Sequence, residues 1–198
     1  PSNRFLYVPC LASDVIQQFR FDAQTGAVTQ TEPFTTETRA GAGPRLPIFH
    51  PSINVLYQGN EKNDTISAYE INPASGNLSR IQIISTLPND FIEKSNLSEL
   101  HLTPNGKFLY IANRGHNSIA CYQVDQAKGT LQLQDFTSVP NVTIRSFSIS
   151  PTGEYLYAAD QKAGDLIVFS VNQSSGALTQ SSTTKAGDGI GIVITESF

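Results

Sequence analysis

The sequence predicts an all-β protein, a β-propeller built of four-stranded antiparallel blades, with four blades present in its 198 residues. Three observations predict it. First, one phrase recurs as PSNRFLYVPCLA, PSINVLYQGNEK, PNGKFLYIANRG and PTGEYLYAADQK. Its tyrosines, Tyr7, Tyr57, Tyr110 and Tyr157, are spaced 50, 53 and 47 residues apart. Second, fixed landmarks accompany each copy. A proline stands six places before the tyrosine (Pro1, Pro51, Pro104, Pro151). An aromatic follows twelve places after it (Phe19, Tyr69, Tyr122, Phe169), and a glycine nineteen after (Gly26, Gly76, Gly129, Gly176). Self-similarity at a period near 50 residues marks a repeat architecture. Third, the runs between the landmarks alternate polar and apolar residues with period two, and no amphipathic helix interrupts them.

The third unit shows the elements in order. SELHLT alternates, with Leu100 and Leu102 on one face, and PNG turns the chain into KFLYIAN. RGHN turns it again into SIACYQV, and DQAKG leads into TLQLQDF. Gly, Asn, Asp and Pro punctuate four strands. The glycine of DAQTG, NPASG, DQAKG and NQSSG supplies a positive φ in the hairpin joining the third and fourth strands. Four-stranded units of this length are propeller blades. The repeats run approximately over 1–38, 39–88, 89–139 and 140–187 as one domain, with a closing strand in 188–198. The chain begins on the second strand of a blade, and GIGIVIT at 189–195 reads as a first strand. Pairing of that strand beside FLYV closes a ring of four blades, or the chain is part of a larger ring.

Composition bounds the function. A hydrophobic content of 39% and a charged content of 15% describe a globular chain. A net charge of −4 without a basic run argues against nucleic-acid binding. No apolar stretch is long enough for a membrane helix, and nothing resembles a signal peptide, so the expected location is cytoplasmic. Cys10 and Cys121 make no disulfide framework and read as core or near-core thiols. The three histidines and scattered carboxylates lack the spacing of a metal site, and no cofactor motif appears.

The order of the repeated words carries a family resemblance. GAGPRLPIFHPSINVLYQGNE, SELHLTPNGKFLYIANRGHNSIACY and TIRSFSISPTGEYLYAADQKAGDLIVFSV resemble the signatures of the seven-bladed β-propeller lactonases. That family includes bacterial 6-phosphogluconolactonase and fungal carboxy-cis,cis-muconate cyclase. The resemblance covers the whole chain. It implies the C-terminal four blades of a seven-bladed ring, agreeing with the mid-blade start and the absence of methionine. It further implies a metal-independent lactonase of sugar-acid lactones, 6-phosphogluconolactonase-like. A lactone-forming cyclase and a non-catalytic binding propeller are the alternatives. One position departs from the family pattern: the histidine after G-P-R is Leu46 here.

Within the conserved phrase one place varies, four residues after the tyrosine: Leu11, Glu61, Arg114 and Gln161. These fall at the turn from second to third strand, around a common rim, where a rigid scaffold displays variable chemistry. Six places before each repeat proline stand Arg45, Ser98 and Arg145, at the start of the channel-lining strands. His101 lies within such a strand, where other copies have Ile48 and Ser148. Arginine grips carboxylate or phosphate bidentately, and lactone hydrolysis needs oxyanion stabilisation and proton transfer. Glu61, His101 and Arg114 are therefore the candidate catalytic residues, and Arg45, Arg145 and Gln161 the candidate substrate contacts. The expected ligand is a small anionic sugar lactone or dicarboxylate. Asn60, Asn113 and Asp160 read as turn caps, His50 as a turn residue and His116 as an exposed loop residue. The longer third unit places 88–96 as a rim loop. Four blades without the rest of a ring leave exposed blade faces, which favour self-association.

Overall fold

Among the described residues, fifteen strands form four antiparallel sheets and there is no helix. The structure, a computed structural model, describes residues 4–189 and Thr195. The first sheet has three strands, β1 (Phe5–Cys10), β2 (Val15–Phe21) and β3 (Val28–Glu37). The second contains β4 (Pro44–Phe49), β5 (Val55–Asn60), β6 (Thr65–Ile71) and β7 (Leu78–Ser85). The third contains β8 (Asn96–Leu102), β9 (Phe108–Arg114), β10 (Ser118–Val124) and β11 (Leu131–Ser138). The fourth contains β12 (Ile144–Ile149), β13 (Tyr155–Asp160), β14 (Asp165–Val171) and β15 (Leu178–Lys185). Each sheet is a meander in sequence order. The first begins at the strand equivalent to β5, β9 and β13. The expected closing strand at 189–195 lies, apart from its two end residues, outside the described residues.

The repeat landmarks are explained by the junctions between blades. The hydroxyl of Tyr7 donates to Gly76 O at 2.6 Å, that of Tyr57 to Gly129 O at 2.9 Å, and that of Tyr110 to Gly176 O at 2.7 Å. Each of these three tyrosines thus ties its blade to the glycine hairpin of the next. The hairpins are preformed: in the second blade the Asn72 side chain accepts from the N–H groups of Ala74 and Ser75. A side chain at these glycines would strike the preceding blade. A Cβ at Gly129 would lie 2.5 Å from Val55, and one at Gly176 2.6 Å from Phe108. Burial of the three tyrosine rings pushes their phenols above the ordinary range, so they remain neutral donors.

The core is layered between blades. One cluster joins the second and third blades through Tyr57, Leu97, Leu100, Ile111 and Tyr122, and another joins the third and fourth through Tyr110, Phe147 and Phe169. Cys121 is buried in the second of these, and Cys10 is half-buried. Leu46 packs against the cluster of Leu97 and Leu100. Gly59 lets these chains meet, since a Cβ there would come within 2.7 Å of Leu100 and 3.3 Å of Leu46. The residue that departs from the family pattern is therefore an apolar core contact.

Candidate active site

Three inner strands begin with the same irregularity. The ladder of β4 on β5 slips between Pro44 and Leu46, that of β8 on β9 between Leu97 and Glu99, and that of β12 on β13 between Ile144 and Ser146. The skipped residues are Arg45, Ser98 and Arg145. A β-bulge releases one residue from the ladder and re-aims its side chain. The position six before each proline is thus the bulge of the channel-lining strand, and in two of three blades it carries a guanidinium.

Glu61, just past β5, ties two of the arginines together. Its Oε2 accepts from Arg45 Nη1 at 2.7 Å and its Oε1 from Arg114 Nη2 at 3.4 Å. All three side chains are partly shielded, with 21% of the Glu61 side chain, 31% of Arg45 and 27% of Arg114 accessible. Arg45 and Glu61 belong to the second blade and Arg114 to the third. Asn96 adds a second link across that junction, its amide donating to Glu61 O.

Glu99 and His101 stand beside this triad on β8. His101 Nε2 is 3.9 Å from Glu99 Oε1, and its ring meets Phe147 edge-on with centroids 5.2 Å apart. Desolvation lowers the His101 pKa, which favours the neutral imidazole. Burial raises the Glu99 pKa, opposed by the Leu100 N–H, the Ser146 hydroxyl and the charges of Arg45 and Arg145. Glu99 therefore lies within the field of both bulge arginines, Arg45 and Arg145. Sequence reading passed it over. Its signal was the repeat register: Glu99 holds the place of Leu46 and Ser146, immediately after the bulge.

Asp64 feels the charges of Arg114 and Glu61. Burial raises its pKa to about 6, against the Ser95 hydroxyl, the Leu97 N–H and the charge of Arg114. The loop between β7 and β8 passes here, and Phe91 packs against the ring of His116, with centroids 4.8 Å apart. Phe136 meets the same ring at 5.6 Å, and Ser118 Oγ lies 2.7 Å from Nδ1. His116 is thus half-buried between two aromatic rings, not an exposed loop residue as expected. The apolar edges of Phe91 and Phe136 reward its burial.

The remaining candidates lie apart from the cluster. Gln161 is exposed, one blade further on, and its backbone N–H donates to Thr143 O. Leu11 presents its carbonyl to Lys62 Nζ. Ser98 bridges blades, its hydroxyl donating to Ile144 O at 2.8 Å. Asn60 donates to Thr65 and Ser67, Asn113 to Thr86 O, and Asp160 accepts from the Thr143 and Lys162 N–H groups. His50 Nδ1 accepts from the Ser52 and Ile53 N–H groups, a turn role. Among the described residues no cluster of His, Cys, Asp and Glu has metal-site geometry, and no helix is long and apolar enough to cross a membrane.

A bladed all-β scaffold of antiparallel four-stranded sheets, with arginines and carboxylates where inner strands begin and second strands end, defines a β-propeller. The chain belongs to the seven-bladed β-propeller lactonase family: the profile described as "Lactonase, 7-bladed beta-propeller" matches residues 1–194. A 6-phosphogluconolactonase of Pectobacterium carotovorum is 35% identical over 133 residues, covering 67% of this chain and 40% of the relative. The 6-phosphogluconolactonase of Bacillus subtilis is 33% identical over 141 residues, covering 71% of this chain and 40% of the relative. The solved structure of a periplasmic gluconolactonase from Pseudomonas aeruginosa superposes with a TM-score of 0.88 at 27% identity, over 96% of this chain and 53% of that one. The matches to the two curated relatives thus span about 40% of the relatives' length.

Proposed function

We propose that the chain contributes to hydrolysis of a sugar-acid lactone, with a 6-phosphogluconolactone-like ester as the substrate class. The observation that carries this reading is the Arg45–Glu61–Arg114 triad beside Glu99, His101 and Arg145. Two guanidiniums held on one carboxylate, with Arg145 acting on the neighbouring Glu99, suit a substrate with a phosphate or carboxylate and a carbonyl that becomes an oxyanion. Neutral His101 takes a proton from water as the water oxygen bonds to the lactone carbonyl carbon. Arg114 or Arg45 stabilises the oxyanion. Collapse breaks the ring C–O bond, the proton passes to the departing ring oxygen, and a free hydroxy acid results. Both Glu61 oxygens are engaged by arginines, so its role is to position those guanidiniums. Arg145 holds the anionic end of the substrate, and Gln161, one blade on, is a contact for a longer ligand only.

The names of the two curated relatives and the Pseudomonas neighbour support this substrate class. A second reading, a binding propeller without catalysis, is favoured by Leu46, because an apolar core contact replaces a polar family position. Acid release from 6-phosphoglucono-δ-lactone, followed at constant pH against the spontaneous rate, separates the two. The lactonase reading expects acceleration that falls at least tenfold in kcat for His101→Ala, and a raised KM for Arg145→Ala. Unaccelerated hydrolysis, with 6-phosphogluconate still bound, would leave the binding reading. A phosphorylated substrate argues for a cytoplasmic location, whereas the Pseudomonas neighbour is a periplasmic gluconolactonase; cell fractionation distinguishes them.

A further inference from the structure

Glu61 is committed to two guanidiniums, whereas the ion-pair contact of Glu99 is with a histidine. Residues two apart on a strand share a face, so Glu99 and His101 leave β8 on the same side. The Leu100 N–H between them donates to Glu99 Oε1 at 3.2 Å. The same oxygen lies 3.9 Å from His101 Nε2. One carboxylate oxygen is thus anchored by the strand's own backbone and turned to one nitrogen of the ring. The ring is held in turn by the edge of Phe147. Both side chains are mostly shielded, with 23% of Glu99 and 35% of His101 accessible. Nδ1 of His101 has no hydrogen-bond partner among the described residues.

We infer that Glu99 is the carboxylate partner of His101: the imidazole Nε2–H donates to Glu99 Oε1, which fixes that tautomer and leaves Nδ1 as the nitrogen that meets water. The catalytic consequence rests on the lactonase reading; the pairing itself does not. At 3.9 Å the contact is longer than a hydrogen bond, and burial keeps the ring neutral before reaction. The attraction is therefore small at first and large once His101 is charged. When the water oxygen bonds to the lactone carbonyl carbon, the water proton passes to the Nδ1 lone pair. The imidazolium so formed has a carboxylate within ion-pair distance. The proton then leaves Nδ1 for the ring oxygen as the C–O bond breaks, which restores the neutral imidazole. An interaction that strengthens only as charge develops lowers the barrier rather than tightening ground-state binding. The role needs an ionised Glu99. Burial opposes that form, while the Leu100 N–H, the Ser146 hydroxyl and the charges of Arg45 and Arg145 favour it. Glu99 acts through His101 and touches no reacting atom, so it is a positioning residue.

Nitrogen-15 NMR titration of the histidine rings tests the pair without recourse to activity. The chain has three histidines, and the resonance lost in His101→Ala identifies the one concerned. The wild type is expected to show His101 as the Nε2–H tautomer. An opposite charge favours the imidazolium, so Glu99→Gln, which keeps the shape and removes the charge, is expected to lower the His101 midpoint by about one pH unit, a tenfold loss of proton affinity. Glu99→Asp, which keeps the charge, is expected to stay nearer the wild type. Unmoved His50 and His116 resonances show that both variants fold. In the lactone assay Glu99→Gln is expected to lower kcat at least about tenfold with KM little changed, and to move the acid limb of the rate profile to lower pH. An Nδ1–H tautomer in the wild type, an unchanged His101 midpoint in Glu99→Gln, or a raised KM with kcat kept would each overturn the proposal. The last result would make Glu99 a holder of Arg45 and Arg145 only. A wild type that does not accelerate hydrolysis, yet shows the Glu99-dependent midpoint, removes the lactonase reading and leaves the pair standing.

Discussion

Asp64 is a buried carboxylate held at an energetic cost, and Asp64→Asn should release it. Its folded pKa is about 6 against an ordinary 3.8, and burial is the largest cause. Above pH 6 the native state holds this group ionised at a penalty of roughly two pKa units, about 3 kcal/mol at 1.36 kcal/mol per unit. Between pH 4 and 6 the native state binds more protons than the unfolded chain, so stability rises as pH falls through this window. Asparagine carries no charge to desolvate and tolerates the positive φ of 48° found at Asp64. The fold already uses it at the same repeat position, as Asn117 with φ 54°. The amide forfeits the attraction of Arg114, so the expected net gain at pH 7.5 is about 1–2 kcal/mol, or about 2–8 °C in Tm for a chain of this size. Below pH 4 both states of the wild type are protonated and the gain should vanish. Urea unfolding at pH 7.5 and pH 4, followed by far-ultraviolet circular dichroism, measures both. A substitution that destabilises at pH 7.5, or a gain that does not shrink with acid, would refute the reasoning.

Other consequences follow from the same contacts. Glu61→Gln keeps the shape but leaves Arg45 and Arg114 facing each other, with a cost of about 1–2 kcal/mol at this partly shielded site; thermal melting checks it. The same variant should lower kcat, since the two guanidiniums lose their positioning; unchanged turnover would remove Glu61 from the machinery. Tyr57→Phe leaves the buried Gly129 carbonyl without its donor and should cost about 1–3 kcal/mol, read by denaturant midpoint. Gly59→Ala drives a methyl group into Leu100 and should destabilise by about 1–3 kcal/mol. In the pH–rate profile, a neutral His101 base loses activity as pH falls through its lowered pKa, so the acid limb should lie below pH 6.5. An acid limb above pH 7 would exclude that role.

Most of the scaffold was legible because the repeat exposes it. Four copies of one phrase gave the strands and the hairpin glycines, and the ties from each blade's tyrosine to the next blade's glycine supply the reason both residues recur. Period-two alternation located the strands because one blade packs face to face on the next. The candidate site was legible only in part. Arg45, Glu61 and Arg114 stood out because they interrupt a constant scaffold with charge, and the fold joins them across a junction. Glu99 was hidden because its repeat equivalents, Leu46 and Ser146, share no chemistry with it, and because the bulge that turns it leaves no signature in residue type. His116 was misjudged because a Gly-flanked histidine reads as loop, and the aromatic partners that bury it are 20 and 25 residues away in sequence. Asp14 and Asp64 show how far environment overrides position. At the same repeat place, the Gly41 and Gly43 N–H groups lower the first, while burial raises the second.

The central claim is that the arginines at the bulged strand ends and their neighbours form one anion site. A crystal structure of the chain soaked with 6-phosphogluconate tests it most directly. The account predicts the ligand's anionic groups within hydrogen-bond distance of Arg145 and of Arg45 or Arg114, with its carboxylate near His101. Density for the ligand elsewhere, with Arg45 and Arg114 still paired only to Glu61, would contradict it.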